Sequence, residues 1–174
     1  ATNTQDKADQ LLDFINQEKE MLTTSLATAD GTPNIYLAGN SSLLSTAGPA
    51  MYQSGIIELA GGKNVASDIS DTYWAEISYE QLLSWDPDYI ILASDAEYTV
   101  DDVLSDPNLK DCTAVKNNHV YAIPGDIEAL DSPVPASILA SIWLAGILHP
   151  DQVSTDTYTK EMNSFCETFY GIKK

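Results

Sequence analysis

Between Asp6 and about Leu26, apolar residues recur at Ala8, Leu11, Leu12, Ile15, Leu22 and Leu26, with polar residues on the other faces. That spacing predicts an amphipathic helix. The run Ala29-Asp30-Gly31-Thr32-Pro33 reads as a turn. Asn34 to Ala38 follows as the first strand. Tyr89-Ile90-Ile91-Leu92-Ala93 is almost unbroken in its apolarity, the mark of a strand buried on both faces of a parallel sheet. The stretch before it is an α/β unit in miniature. Thr72-Tyr73-Trp74 forms an aromatic loop, and Ser78-Tyr79-Glu80-Gln81 has the spacing of a capping box. Leu82, Leu83 and Trp85 give the helix an apolar side, and Pro87 ends it by disfavouring helix at the residue before.

The remaining pattern repeats this grammar. Ser54 to Ala60 predicts a helix stopped by Gly61-Gly62. Val100 to Leu104 and Asn108-Leu109-Lys110 predict short helical turns before a strand at His119 to Ile123. Ser132 and Pro133 have the chemistry of a helix cap and first-turn proline. The helix beyond them buries Ile138, Leu139, Ile142, Trp143 and Ile147, and His149-Pro150 closes it. A last helix from about Val153 to Tyr170 has Tyr158, Met162, Phe165 and Phe169 as its inner stripe. The sum is an α/β fold of three layers, Rossmann-like, with a mostly parallel sheet and helices on both faces.

Composition narrows the function. A length of 174 residues suits one domain, or one lobe plus a connecting helix. Eight Lys+Arg against 26 Asp+Glu give a formal net charge of −18, a surface that repels nucleic acid and anionic lipid and that also serves solubility. The longest apolar stretch, Ile138 to Leu148, contains Ser141 and is too short to span a bilayer. No signal peptide is visible. Cys112 and Cys166 either pair or remain free buried thiols. The Gly61-Gly62 pair is not a phosphate loop, because Ile57 stands where a Walker glycine belongs and Asn64 where Ser or Thr belongs. Asp95, Glu97, Asp101 and Asp102 lack the alternation and turn glycine of a calcium loop and read as solvated surface. No serine sits in a nucleophile elbow, and no histidine pair or cysteine cluster has metal-ligand spacing. The chain does not read as an enzyme.

Two loops follow strands, where open parallel sheets place their binding crevices. Gly39 to Tyr52 offers Asn40, Ser41, Ser42, Ser45 and Thr46, as ligand contacts or as turn and cap chemistry. Pro124 to Pro135 offers Asp126, Glu128 and Asp131. Trp74 is either a core anchor or a flat apolar face for a large planar ligand. Glu80, in a first helical turn, suits the helix dipole.

Several stretches together resemble the substrate-binding proteins of iron-complex and cobalamin ABC importers, the class III periplasmic binding proteins. They are Tyr36-Leu37-Ala38-Gly39, Ser45-Thr46-Ala47-Gly48, Leu59-Ala60-Gly61-Gly62-Lys63-Asn64, and Trp74 with Ile77-Ser78-x-Glu80-x-Leu82-Leu83. Asp86-Pro87-Asp88-x-Ile90-Ile91, the run from Ala114 to Pro124, and Trp143-Leu144-Ala145-x-x-Leu148-His149-Pro150 complete the set. The matches keep family order from about residue 33 to 151 and cover the C-terminal half of such a protein.

The resemblance implies that residues 1–30 are part of an interlobe helix and turn, and that 31–174 form the C-terminal ligand-binding lobe. A missing N-terminal lobe would supply the other half of the cleft. It further implies an extracytoplasmic protein, periplasmic or lipid-anchored, exported by a signal this chain lacks. That protein would capture an iron-siderophore, haem or corrinoid metal complex without any cofactor of its own. By family position Ser45, Thr46, Tyr52 and Trp74 contact ligand, and Glu80 docks onto arginines of the permease. Between Asp95 and Leu148 the only cationic side chains are Lys110 and Lys116, with His119 titratable, which argues against a strongly anionic ligand for this lobe.

Two other readings stand beside it. One is a stand-alone flavodoxin-like domain binding nucleotide or flavin, possibly enzymatic, with Ser41–Gly48 as its phosphate cradle. The other is an interaction module using an acidic face. The importer reading requires Asn40–Tyr52, Trp74 and Asp126–Asp131 to meet along one rim of the sheet.

Overall fold

The computed structural model describes residues 4–69 and 73–173. In chain order its elements are α1 (Thr4–Leu26), β1 (Asn34–Ala38), β2 (Ser45–Ala47), α2 (Tyr52–Leu59), β3 (Lys63–Asn64), β4 (Trp74–Glu76) and α3 (Tyr79–Trp85). There follow β5 (Tyr89–Leu92), α4 (Val100–Leu104), α5 (Thr113–Lys116), β6 (Val120–Ala122), α6 (Ile138–Leu148) and α7 (Thr155–Phe165). The strands form one sheet in the order β4-β2-β1-β5-β6, with β3 beside the first half of β1. β1, β5 and β6 run parallel, with Ile35 opposite Tyr89, Ala38 opposite Leu92, and Leu92 opposite Ala122.

The apolar runs of β1 and β5 divide between two cores by strict alternation, because successive side chains on a strand face opposite ways. Ile35, Leu37 and Ile91 pack with Leu22 of α1, Ile57 of α2, Leu139 of α6 and Phe165 of α7. Tyr36, Ala38, Ile90 and Leu92 pack on the other face with Leu82 of α3, Val103 of α4 and Ala114 of α5. Helices therefore cover both faces, as the pattern predicts.

Local chemistry explains the boundaries. At the end of α2, Gly62 N donates to Ile57 O and Gly61 N to Glu58 O, a Schellman ending with Gly61 at φ 80°. A Cβ on Gly61 would lie 2.7 Å from His149 Nε2, so the glycine also makes room for that buried ring. Asp86 ends α3 in the left-handed region at φ 42°, just before Pro87.

The structure corrects several expectations. The Gly39–Tyr52 segment is not a continuous loop: the chain turns back through Ser42–Leu44 and lays β2 antiparallel against β1, with Thr46 opposite Ala38. Trp74 likewise opens β4, paired antiparallel with β2, rather than sitting in a loop. Thr72 lies outside the described residues. Only half of the capping box forms. Ser78 Oγ accepts the Gln81 N–H, but the Gln81 amide turns instead to Ser84 Oγ at 3.0 Å. Ser132 and Pro133 do not start a helix; Pro135 does, in a 3-10 turn over Pro135–Ser137 that runs into α6. Asn108–Lys110 is only a turn, and the helical piece there is α5. The last helix closes in a π turn, Cys166–Tyr170, stopped by Gly171 at φ 69°. Cys112 and Cys166 are both free and buried, one in each core, so the sheet separates them and no disulfide forms.

One buried carboxyl sits uneasily in this frame. Glu18 of α1 is 8 % exposed. Burial first, and then the Glu161 carboxylate, push its carboxyl above the usual range, with Lys160 opposing. A carboxyl whose pKa is raised in the folded state binds its proton more tightly there. Stability is then lost as pH rises from the ordinary glutamate range through the raised value. Glu18→Gln is therefore expected to stabilise the fold at pH 7, with the gain shrinking as pH falls toward the ordinary range, as urea titrations across that interval would read.

Candidate functional site

β1, β5 and β6 end along the same rim of the sheet, so the loops that leave them are neighbours. A cleft of about 180 Å³ opens there. Asn40 reaches it from the end of β1, Ala93 and Asp95 from the end of β5, and Asp131 and Ser132 from the loop after β6. Trp74 at the head of β4 and Gln53 in the first turn of α2 complete the wall. Asn40, Trp74 and Asp131, from the three segments that the sequence requires to meet, do meet here.

Each wall is fixed by hydrogen bonds made elsewhere. The Asn64 amide nitrogen donates to Ala47 O at 2.9 Å and to Ser54 Oγ at 2.8 Å, and its Oδ1 accepts from Ala66 N. Ser54 Oγ donates on to Gly48 O at 2.9 Å. This buried hub ties the end of β2 to the start of α2 and so sets Gln53 at the cleft. Gln53 is 8 % exposed, and its Oε1 is buried without a hydrogen-bond partner among the described residues. The indole of Trp74, 39 % exposed, lies close over Gly39, where any Cβ would come within 3.2 Å of it. Asp131, 5 % exposed, accepts from Ser94 Oγ at 2.5 Å and from Ser94 N at 3.2 Å, which clamps the Pro124–Pro135 loop to the end of β5.

Two phenols hold the first loop. Tyr36 donates to Leu43 O and Tyr98 to Gly39 O, each at 2.6 Å. Burial pushes both phenols well above their usual range, so they stay protonated donors. Asn40 spends its Oδ1 on the Ser41 N–H at 3.0 Å, and its carbonyl accepts from Glu97 N.

The other sequence candidates lie elsewhere. Ser41 is exposed outside the cleft wall, and Ser42 Oγ accepts from Leu44 N to make the turn. Ser45 and Thr46 are buried in β2, and the Thr46 hydroxyl donates to Leu37 O at 2.7 Å. Neither residue lines the strand-end cleft. Tyr52 hydrogen-bonds Ser137 Oγ and lines a separate groove of about 600 Å³. Ile15, Met51, Ile56, Leu59 and Ile138 make that groove largely apolar, and none of the strand-end residues enters it.

Asp126 and Glu128 face α7 in a small pocket with Tyr158 and Asn163, because their loop folds back across that helix. Tyr170 donates to Glu128 Oε1 at 2.5 Å. Glu80 is exposed in the first turn of α3, its carboxyl held below the usual range by its own backbone N–H and the Ser78 hydroxyl. The Ser41–Gly48 segment, filled by β2, gives no phosphate cradle and leaves the flavodoxin-like alternative without its site.

Gln53, Ala93, Asp95 and Ser132 are the cleft residues that sequence reasoning missed. For Gln53 a signal exists: it shares a helical stripe with Ile56, Ile57 and Ala60, all buried, and a glutamine on such a stripe is out of place.

A family model described as periplasmic binding protein matches residues 1–127. The molybdate-binding protein MolA of Haemophilus influenzae is 26% identical over 167 residues, 94% of this chain and 47% of that protein. A cobalamin-binding protein of Halobacterium salinarum is 28% identical over 110 residues, 60% of this chain and 29% of that protein. The crystal structure of a periplasmic solute binding protein from Veillonella parvula is similar at a TM-score of 0.86 and 25% identity, covering 97% of this chain and 52% of that one. The chain thus spans less than half the length of these curated relatives.

The Ser94–Asp131 clamp makes a direct claim on stability. Ser94→Ala would leave the buried Asp131 carboxylate with one of its two hydrogen bonds. The expected loss is about 1–3 kcal/mol of unfolding free energy in a urea titration at neutral pH.

Proposed function

This chain belongs to the periplasmic binding protein family, and on that premise we propose that it is the C-terminal lobe of an extracytoplasmic solute-binding component of an ABC importer. Residues 1–30 are its share of the interlobe helix and turn, and residues 31–174 are the ligand-binding lobe. The cargo is a small metal complex of the iron-siderophore, haem or corrinoid type. A first lobe closes over it, and the loaded protein docks on the permease.

The observation that carries this reading is the convergence of Asn40, Trp74 and Asp131 on one cleft at the strand ends. That is where an open parallel sheet has room for a ligand. A half-exposed indole beside buried polar side chains suits a ligand with a flat apolar face and a few polar groups. The two histidines have structural partners, which favours capture over chemistry. His119 stacks on Tyr89 at 4.5 Å, and His149 Nε2 lies 3.2 Å from Gly61 O. A curated relative named for cobalamin and another named for molybdate also favour small-ligand capture.

Titration of the two-lobed protein with corrinoids, haem and ferric siderophores tests the cleft. Trp74→Ala is expected to weaken binding of the responding ligand by about tenfold or more; unchanged affinity would count against this site. Glu80, exposed and ionised at the start of α3, is the docking residue of the proposal. Glu80→Ala is expected to leave ligand affinity unchanged while lowering uptake in cells, and equal uptake by both forms would remove that role.

A further inference from the structure

The charge and hydrogen-bonding character of the strand-end cleft restricts what it can hold. Among the described residues two carboxylates line it, the buried Asp131 and the exposed Asp95, and no lysine does. The chain has no arginine to serve there, since all eight of its Lys+Arg residues are lysine. Gln53 adds a second constraint from a different direction. Its side chain is more than nine-tenths buried, and its Oε1 has no hydrogen-bond donor among the described residues. A buried acceptor in that condition is costly, and a donor brought by a ligand would relieve it. Asn40 has committed its Oδ1 to Ser41, which leaves its amide nitrogen to donate.

We infer that the cleft takes a neutral or cationic complex whose edge presents amide or ammonium N–H donors, and that it rejects free oxyanions and strongly anionic chelates. This rests on the capture reading above and narrows it. An amide edge satisfies both partners at once, giving an N–H to Gln53 and a carbonyl to Asn40. An ammonium group gains further from Asp95 and Asp131. An oxyanion entering the same space meets two like charges and an acceptor, with no lysine on this wall to offset their repulsion. The difference from the molybdate-binding relative would then lie in the side chains of the cleft wall, on a shared fold.

The test is quenching of intrinsic tryptophan fluorescence in the protein carrying both lobes, in buffer at physiological salt. Cyanocobalamin and ferrioxamine B are neutral or cationic and carry amide or ammonium N–H groups. Molybdate and ferric enterobactin are anions. Saturable binding of at least one of the first pair and neither of the second is expected. Gln53→Leu should weaken that binding by about tenfold. Asp95→Lys, at an exposed position that leaves the fold intact, should weaken ferrioxamine B by about threefold or more.

Saturable binding of either anion, lost in Trp74→Ala, overturns the inference and leaves the capture reading standing. So does binding of the first pair that neither Gln53→Leu nor Asp95→Lys changes. Absence of binding by all four probes and by haem removes the capture reading itself.

Discussion

Burial of β1 and β5 on both faces is the constraint from which the architecture follows. A strand whose alternate side chains are Ile35 and Leu37 on one face and Tyr36 and Ala38 on the other cannot leave either face to water. Helices must cover both, and parallel neighbours must be reached by crossovers. That leaves the ends of the strands as the places where polar backbone and side chains collect. The site is at a strand end because the centre of the sheet has no room for it.

At that end, precision comes from polar groups paired within the protein. Asn64 joins β2 to α2, Asp131 joins the loop after β6 to the end of β5, and Tyr36 and Tyr98 hold the loop that leaves β1. Each is buried or partly buried, with a neighbouring backbone or hydroxyl group as its partner. Such networks are costly when incomplete, so they fix positions well. Asp131 belongs to both sets, as clamp and as cleft wall, which couples the shape of the site to the stability of the loop that carries it.

How much of this could be read from the chain follows from the length of each signal. β1 and β5 announce themselves because four or five consecutive apolar residues are hard to use otherwise. β2, β3 and β4 have two or three residues each, too few for a period of two to show. That is why Ser45, Thr46 and Trp74 are read as loop residues. The strand-end rule finds Asn40, and the Pro124–Pro135 loop finds Asp131. Asp126 and Glu128 share that loop yet face α7, since nearness in sequence does not tell which way a long loop folds. Gln53 hides for the opposite reason: one glutamine in a helix looks like surface until its apolar companions are placed beneath it.

The two thiols bear on how the chain reaches its folded form. With Cys112 in one hydrophobic core and Cys166 in the other, neither has the other within reach and both are sealed from solvent. The lobe therefore owes nothing to an oxidising compartment. It can attain the same structure in reducing cytosol as outside the membrane, and bulk reductant has no crosslink in it to cut.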